Sequence, residues 1–281
     1  MRPRRSVLYM PGANERALEK ARTLPADALI LDLEDAVAPD AKVDARERVC
    51  AAVGSYGSRE VTIRVNGAGT PWHADDLRAA GEAGPSAVVV PKVNSVDEVH
   101  AIEKALSHAP DHTAIWAMIE TPVAVLNCAS IAAASERLTV LVMGTNDLAK
   151  EMTAAQVPGR APLLGPLSTC VLAARATGRV ILDGVYNDVR DAAGFAAECR
   201  QGRDFGFDGK TLIHPSQVEP CNEAFAPSAD EVEHAHRVIA AFEEATREGR
   251  GVATVDGRMI ENLHVANAER TLALAAAITR P

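Results

Sequence analysis

Cysteine is scarce and carries no pattern: five residues in 281, Cys50, Cys128, Cys170, Cys199 and Cys221, with no CxxC or other ligand spacing. That excludes a cysteine-built zinc site and a disulfide framework. It leaves small buried thiols in a reducing, cytoplasmic setting. Aromatic residues make up only 4% of the chain, against 47% hydrophobic in all, so aliphatic side chains must build the core. Such a composition suits helices packed on a parallel sheet rather than an antiparallel sandwich. Positive charge is short as well. With 29 Lys and Arg against 38 Asp and Glu, the net charge of −9 sets nucleic acid and anionic membranes aside as main partners. No apolar run reaches the roughly 18 residues of a membrane span. The basic start at residues 1–5 leads into a short apolar stretch and a Pro-Gly turn, so no signal peptide is expected. Loops of the GxGxxG or Walker type are missing too.

What is present is alternation. Short apolar runs at 6–10, 28–33, 61–65, 87–93, 114–119, 138–143, 179–183 and 209–214 are separated by longer amphipathic stretches. Most runs are continuous, as in strands buried on both faces. Asn14 opens a helix to about residue 23, and Ser95 with Glu98 reads as a capping box ahead of Val96, Val99, Ile102 and Leu106. Residues 162–178 begin at a proline and stop at a glycine, as helices tend to. These eight alternations, with no linker between them, predict an α/β fold, a closed (β/α)8 TIM barrel, over residues 1–225. Residues 226–281 exceed what a barrel needs. Ser228 and Glu231 cap one more helix, a hairpin turns at Asp256-Gly257, and a helix over 266–279 ends the chain. This helical and hairpin appendage is expected to be a lid or an oligomer contact.

In a barrel, chemistry gathers at the carboxyl ends of the strands. Those ends offer Pro11-Gly12, then Asp32, Glu34 and Asp35, then Arg64, Lys92, Glu120, Gly144 to Asp147, Asp183 with Tyr186, and His214. Carboxylates end the second, fifth, sixth and seventh runs, and carboxylates brought together repel unless a cation sits among them. Two carboxylates plus waters and substrate oxygens suit Mg2+, and Glu120 and Asp147 are the expected ligands. Glu120 directly follows an apolar run, where an unpaired acid is costly. For Asp147 a helix cap is the rival role. Arg64 stands among apolar neighbours, where its planar fork fits a substrate carboxylate or an internal ion pair with Glu34 or Asp35. Glu34 and Asp35 are expected to orient Arg64 or metal-bound water. His214 could be catalytic, although a lone histidine at a strand end is more often a structural hydrogen-bonder, and His234 and His236 read as solvated surface.

The chain resembles the citrate lyase β / malyl-CoA lyase / aldolase superfamily along almost its whole length. The matching pieces are RSVLYMPG at 5–12, LDLEDAV at 31–37, IRVN at 63–66, VPKV at 90–93, IETP at 119–122, GTNDLA at 144–149, DGVY at 183–186, GFDGK at 206–210 and IHPSQ at 213–217. The resemblance implies Mg2+ on Glu120 and Asp147, Arg64 on the carboxylate of a 2-oxo acid, and backbone at Gly144 and Thr145 helping to hold that acid. It also implies coenzyme A near Tyr9, Pro11, Gly12 and Lys20. A Met-Ile-Asp segment of malyl-CoA lyases reaches a neighbouring subunit's site with its acid/base; Met259-Ile260-Glu261 matches it here. Glu261 is thus the expected acid/base, one methylene longer, in a homotrimer or hexamer. The implied activity is a Mg2+-dependent carbon–carbon lyase that cleaves or forms malyl-CoA, citramalyl-CoA or citryl-CoA. Its other products or partners are an acyl-CoA and glyoxylate, pyruvate or oxaloacetate. The alternatives are a malyl-CoA thioesterase and a β component of a citrate lyase complex using an acyl-carrier thioester. A non-catalytic scaffold barrel is a third, against which Arg64, Glu120 and Asp147 together argue.

Overall fold

A computed structural model describes residues 2–279. Arg4–Ala224 form one compact unit, and a second is built from Phe225 onward. In the first, eight parallel strands close into a barrel in chain order, as expected. They are β1 (Ser6–Pro11), β2 (Ala28–Asp32), β3 (Glu60–Arg64), β4 (Ala87–Val90), β5 (Ala114–Ile119), β6 (Leu138–Met143), β7 (Val180–Asp183) and β8 (Gly209–Leu212). Helices follow the strands and cover the outside.

Strand side chains alternate between barrel interior and helix layer. The interior is filled by Val7, Ala28, Ile30, Ala87, Val89, Trp116, Met118, Val140, Val142 and Leu182, all buried, with Tyr9 packed against them. Two residues beyond Ile30 stands Asp32, two beyond Met118 stands Glu120, and two beyond Val142 stands Gly144. Asp32 is paired in register with Arg64 on β3. The alternation that fills the core therefore delivers these residues to the carboxyl-end mouth. At the opposite end Arg4 pairs with Glu60 at 2.7 Å and lays its guanidinium over the Trp116 ring, 5.5 Å from the centroid.

Four strands end sooner than their apolar runs, β2 and β3 by a single residue, and β4 and β8 by more, each of these two for a local reason. After Val90 comes Pro91, which has no N–H for the ladder, and then Lys92, whose backbone is left-handed with φ 53°. After Leu212 the N–H groups of Ile213 and His214 turn to the Gln217 side chain at 3.1 and 3.3 Å. His214 caps that turn, its Nδ1 accepting from Ser216 N at 3.2 Å, which is the structural role expected of it. The capping at Ser95 is half a box: Ser95 accepts from Glu98 N, while the Glu98 carboxylate accepts from Asn94 N at 2.6 Å instead of from Ser95.

In the second unit the helix Ala229–Arg247 starts on a full capping box of Ser228 and Glu231. β9 (Ala253–Val255) and β10 (Arg258–Ile260) pair antiparallel. Their turn places Asp256 at φ 49° and Gly257 at φ 75°, the pattern of a type I′ hairpin. The last helix, Asn262–Thr279, starts earlier than residue 266 because Glu261 N donates to His264 Nδ1 at 3.1 Å. His264 thus stands where a capping box has Glu or Gln. Val238, Val255, Ile260 and Ala268 anchor this unit's own apolar cluster. Among the described residues no helix is long and apolar enough to cross a membrane.

Candidate active site

Arg64 ends β3, and its charge is buried. Nε and Nη2 donate to the two oxygens of Asp32, both at 2.7 Å, while Nη1 meets Glu34 at 2.8 Å and Asp35 at 3.2 Å. The guanidinium also lies over the Tyr9 ring, 4.7 Å from its centroid. The expected internal pairing with Glu34 and Asp35 is present, but Asp32 takes the two-point fork, a role that sequence reasoning did not give it. Asp32 is fixed in turn by the N–H groups of Glu34 at 2.9 Å and Ala36 at 3.1 Å. Burial works against the Arg64 charge, yet Asp32, Tyr9 and Glu34 together hold the guanidinium well above its ordinary value. Glu34 fares differently. Burial pushes its carboxyl up to about 8, against the pull of Arg64.

Glu120 follows β5 and is buried, its Oε1 accepting from Lys92 N at 2.8 Å. Burial raises it to about 7, with Asp147 adding to the rise and Lys92 opposing it. Only glycine fits at position 144, since a Cβ there would lie 2.2 Å from Glu120 Oε2. Asp147 sits in the first turn of the helix Thr145–Glu151, and its Oδ1 lies 3.2 Å from Lys92 Nζ. Lys92 thus touches both expected metal ligands. The sequence reading counted Lys92 among the strand ends but gave it no role.

These groups line a cavity of about 300 Å³ that includes Tyr9, Asp32, Arg64, Glu120, Thr145 and Asp147. Two carboxylates, Glu120 and Asp147, lining one cavity with hydroxyl and amide groups of Thr145 and Asn146 beside them fit a Mg2+ ion completed by water and substrate oxygens. Among the described residues no cluster of three or more His, Cys, Asp or Glu could hold a metal by itself. A site here rests on the two-carboxylate arrangement. A second cavity of about 470 Å³ shares Thr145, Asn146, Val185 and Asn187 with the first. The amides of Asn146 and Asn187 bond each other reciprocally at 3.1 and 2.7 Å between the two.

Other expected site residues fall elsewhere. Asp183 is fully buried and bonds Arg160 at 2.7 Å and Lys210 at 3.0 Å. Its strand position puts it on the helix side, so the seventh strand adds no carboxylate to the mouth. Gly144 and Thr145 both line the cavity, although Gly144 N is already spent on Ile119 O at 3.1 Å. Tyr9 faces inward and burial raises its hydroxyl pKa, while Gly12 N is bound to Asp32 O at 2.9 Å. Pro11 ends β1, and Lys20 is exposed on the helix Glu15–Ala21. Tyr9 and Lys20 are not brought together. Glu261 belongs to the second unit, partly exposed at the foot of the last helix.

The fold and this constellation define a class: a (β/α)8 barrel with a charged, carboxylate-rich site at the carboxyl ends of its strands. Within that class the chain belongs to the HpcH/HpaI aldolase/citrate lyase family of enzymes, which it matches over residues 5–215. It is 53% identical over 278 residues to a (3S)-malyl-CoA thioesterase of Cereibacter sphaeroides, covering 98% of this chain and 96% of that one. It is 37% identical over 269 residues to the citrate lyase subunit beta of Escherichia coli, covering 92% and 89%. Among solved structures it resembles protein CitE from Mycobacterium tuberculosis in complex with magnesium, acetoacetate and coenzyme A. That match has a TM-score of 0.79 and 31% identity, covering 96% of this chain and 97% of that one.

The relatives at 53% identity are named as hydrolases, and this overturns the expected carbon–carbon lyase activity. The physical reason for the error is plain. Lysis and hydrolysis of such a thioester start from the same held hydroxy acid, so motifs that bind it do not report which bond breaks.

Proposed function

We propose that this protein is a Mg2+-dependent hydrolase of a 3-hydroxyacyl-CoA thioester of the malyl-CoA kind. The observation that carries the reading is the 53% identity to a (3S)-malyl-CoA thioesterase across 98% of the chain. When bound between Glu120 and Asp147, Mg2+ supplies Lewis-acid polarisation and a template for the hydroxy-acid end. Arg64 receives the substrate carboxylate. The contact that gives way is Asp35, whose side chain is 71% exposed, and not the buried fork to Asp32. Thr145 and Gly144 shape the floor beside that end, with Glu34 and Asp35 orienting Arg64. For coenzyme A we retain the Pro11-Gly12 turn and exposed Lys20; Tyr9, facing inward, belongs with the acid end.

In hydrolysis a water oxygen bonds to the thioester carbon as the carbon–sulfur bond breaks. A carboxylate takes the water proton, and the departing sulfur is protonated in turn. Glu261 is assigned as that carboxylate, supplied by a neighbouring copy in a homotrimer or hexamer. Met259 at 60% and Leu263 at 57% exposure flank it, apolar surface that a partner would cover. We place the protein in the cytoplasm, where five unpaired thiols persist.

Product analysis tests the activity. Supplied with (3S)-malyl-CoA and Mg2+, the purified chain should release malate and free coenzyme A one for one, and chelation should stop it. Glyoxylate and acetyl-CoA appearing at a comparable rate would sink the hydrolase reading.

A further inference from the structure

Lys92 is placed with unusual care for a half-exposed lysine. Its backbone is left-handed at φ 53°, a conformation that side-chain-bearing residues rarely adopt and that clusters at functional sites. The loop around it is braced. Asn94 donates to Lys92 O at 2.8 Å, accepts from the Asn127 side chain on its own carbonyl at 2.9 Å, and accepts from the Thr121 hydroxyl. The result is that one residue reaches both carboxylates. Its N–H binds Glu120 at 2.8 Å, and its ammonium lies 3.2 Å from Asp147.

Charge at the mouth gives this contact a purpose. Asp32, Glu34, Asp35, Glu120 and Asp147 stand there; among the described residues Arg64 pairs with the first three and Lys92 with Asp147, while the nearby Lys42 ammonium is spent on the carbonyls of Leu33 and Glu34. Glu120 follows β5 while Asp147 lies in the first helical turn after β6, and the two would repel each other without a positive group between them. A surface lysine pair is worth little by itself. Here, however, the same lysine also fixes the buried partner through its backbone.

We propose that Lys92 is the built-in counter-cation of the Glu120–Asp147 pair. It holds the two carboxylates together before a divalent cation arrives, and it must give up Asp147 when one binds. Lys92 thereby sets the affinity for the cation, keeping it weaker and more exchangeable than two bare carboxylates would. This rests on the pair being the cation site, as read above.

Titration calorimetry with MgCl2 alone, beside thermal unfolding with and without Mg2+, separates the possibilities. Lys92→Met removes the charge while keeping the length. Lys92→Asn suits the left-handed backbone and is too short to reach Asp147, so it serves if the methionine variant folds poorly. Both variants should bind Mg2+ roughly three- to tenfold more tightly, between the worth of an exposed ion pair and a charged hydrogen bond. Both should unfold at lower temperature than the parent without Mg2+, with the gap closing when Mg2+ saturates. Lys92→Arg should behave like the parent. Unchanged or weaker Mg2+ binding in both neutral variants overturns the role of Lys92. Failure of the parent itself to bind Mg2+ would instead bring down the two-carboxylate reading, and this inference with it.

Discussion

Arg64 and Asp32 meet through two hydrogen bonds of 2.7 Å, and neither has water to fall back on. Removing one partner of such a buried pair strands the other, typically at about 3–5 kcal/mol. Asp32→Asn should therefore lower the free energy of unfolding by roughly that amount, measured in urea. A loss within the scatter of surface substitutions would show that Glu34 and Asp35 suffice to hold Arg64. The other single-residue effect is a pH dependence. Burial raises Glu34 to about 8 and Glu120 to about 7, both above the ordinary 4.5. A carboxyl raised in the folded state binds its proton more tightly there than when unfolded. Its contribution to stability is full below 4.5 and is lost as pH rises through 7 and 8. The metal-free protein should thus be more stable at pH 6 than at pH 8.5, and Glu34→Gln should flatten the slope. If Mg2+ binds Glu120 as proposed, it needs the ionised carboxylate, so its affinity should climb across neutral pH and vanish in Glu120→Ala and Asp147→Ala. Affinity independent of pH in calorimetric titrations would contradict the assignment.

Elements were easier to read than their ends. Continuous apolar runs announce strands buried on both faces, and all eight lie where the runs do. The ends are set by single events outside any periodicity: the missing N–H of Pro91, the left-handed Lys92, the Gln217 side chain capturing two strand-end amides. The same holds for the site. Counting inward by twos from Ile30 leads to Asp32, and doing so from Met118 leads to Glu120; applied to β7, that count would have turned Asp183 away from the mouth. What no count could supply is competition. Five carboxylates were legible around one arginine and one lysine, but which acid each cation prefers depends on distances fixed only by folding. The hairpin, by contrast, was spelled out. Gly257 at φ 75° is the second turn residue of a type I′ pair, and a side chain there is strained by about 1–2 kcal/mol. Gly257→Ala should lower stability by about that much in thermal unfolding, while Asp256→Gly should not. Equal tolerance at both positions would mean the hairpin is not tightly formed.

At the level of the whole molecule, the question is whether one chain makes a complete site. If Glu261 serves a neighbour's barrel, Arg64→Ala and Glu261→Ala proteins, each inactive alone, should recover about a quarter of the parental activity when mixed under subunit exchange. An intact barrel then meets an intact tail by chance. Mixing that restores nothing would confine Glu261 to its own chain, and full activity of Glu261→Ala alone would remove it from the reaction. The far end of the barrel bears on traffic through such a site. Arg4, tied to Glu60 and laid over buried Trp116, stops that end, and layers of aliphatic side chains fill the bore above it. The barrel is a cul-de-sac. On the proposed hydrolase reading, substrate, the water that cleaves it and both products must share one doorway, so they queue. With the acid held by Arg64 as proposed, it would lie deepest and the bulky thiol nearest the exit. The thiol leaves first, and the acid departs only into a mouth already cleared.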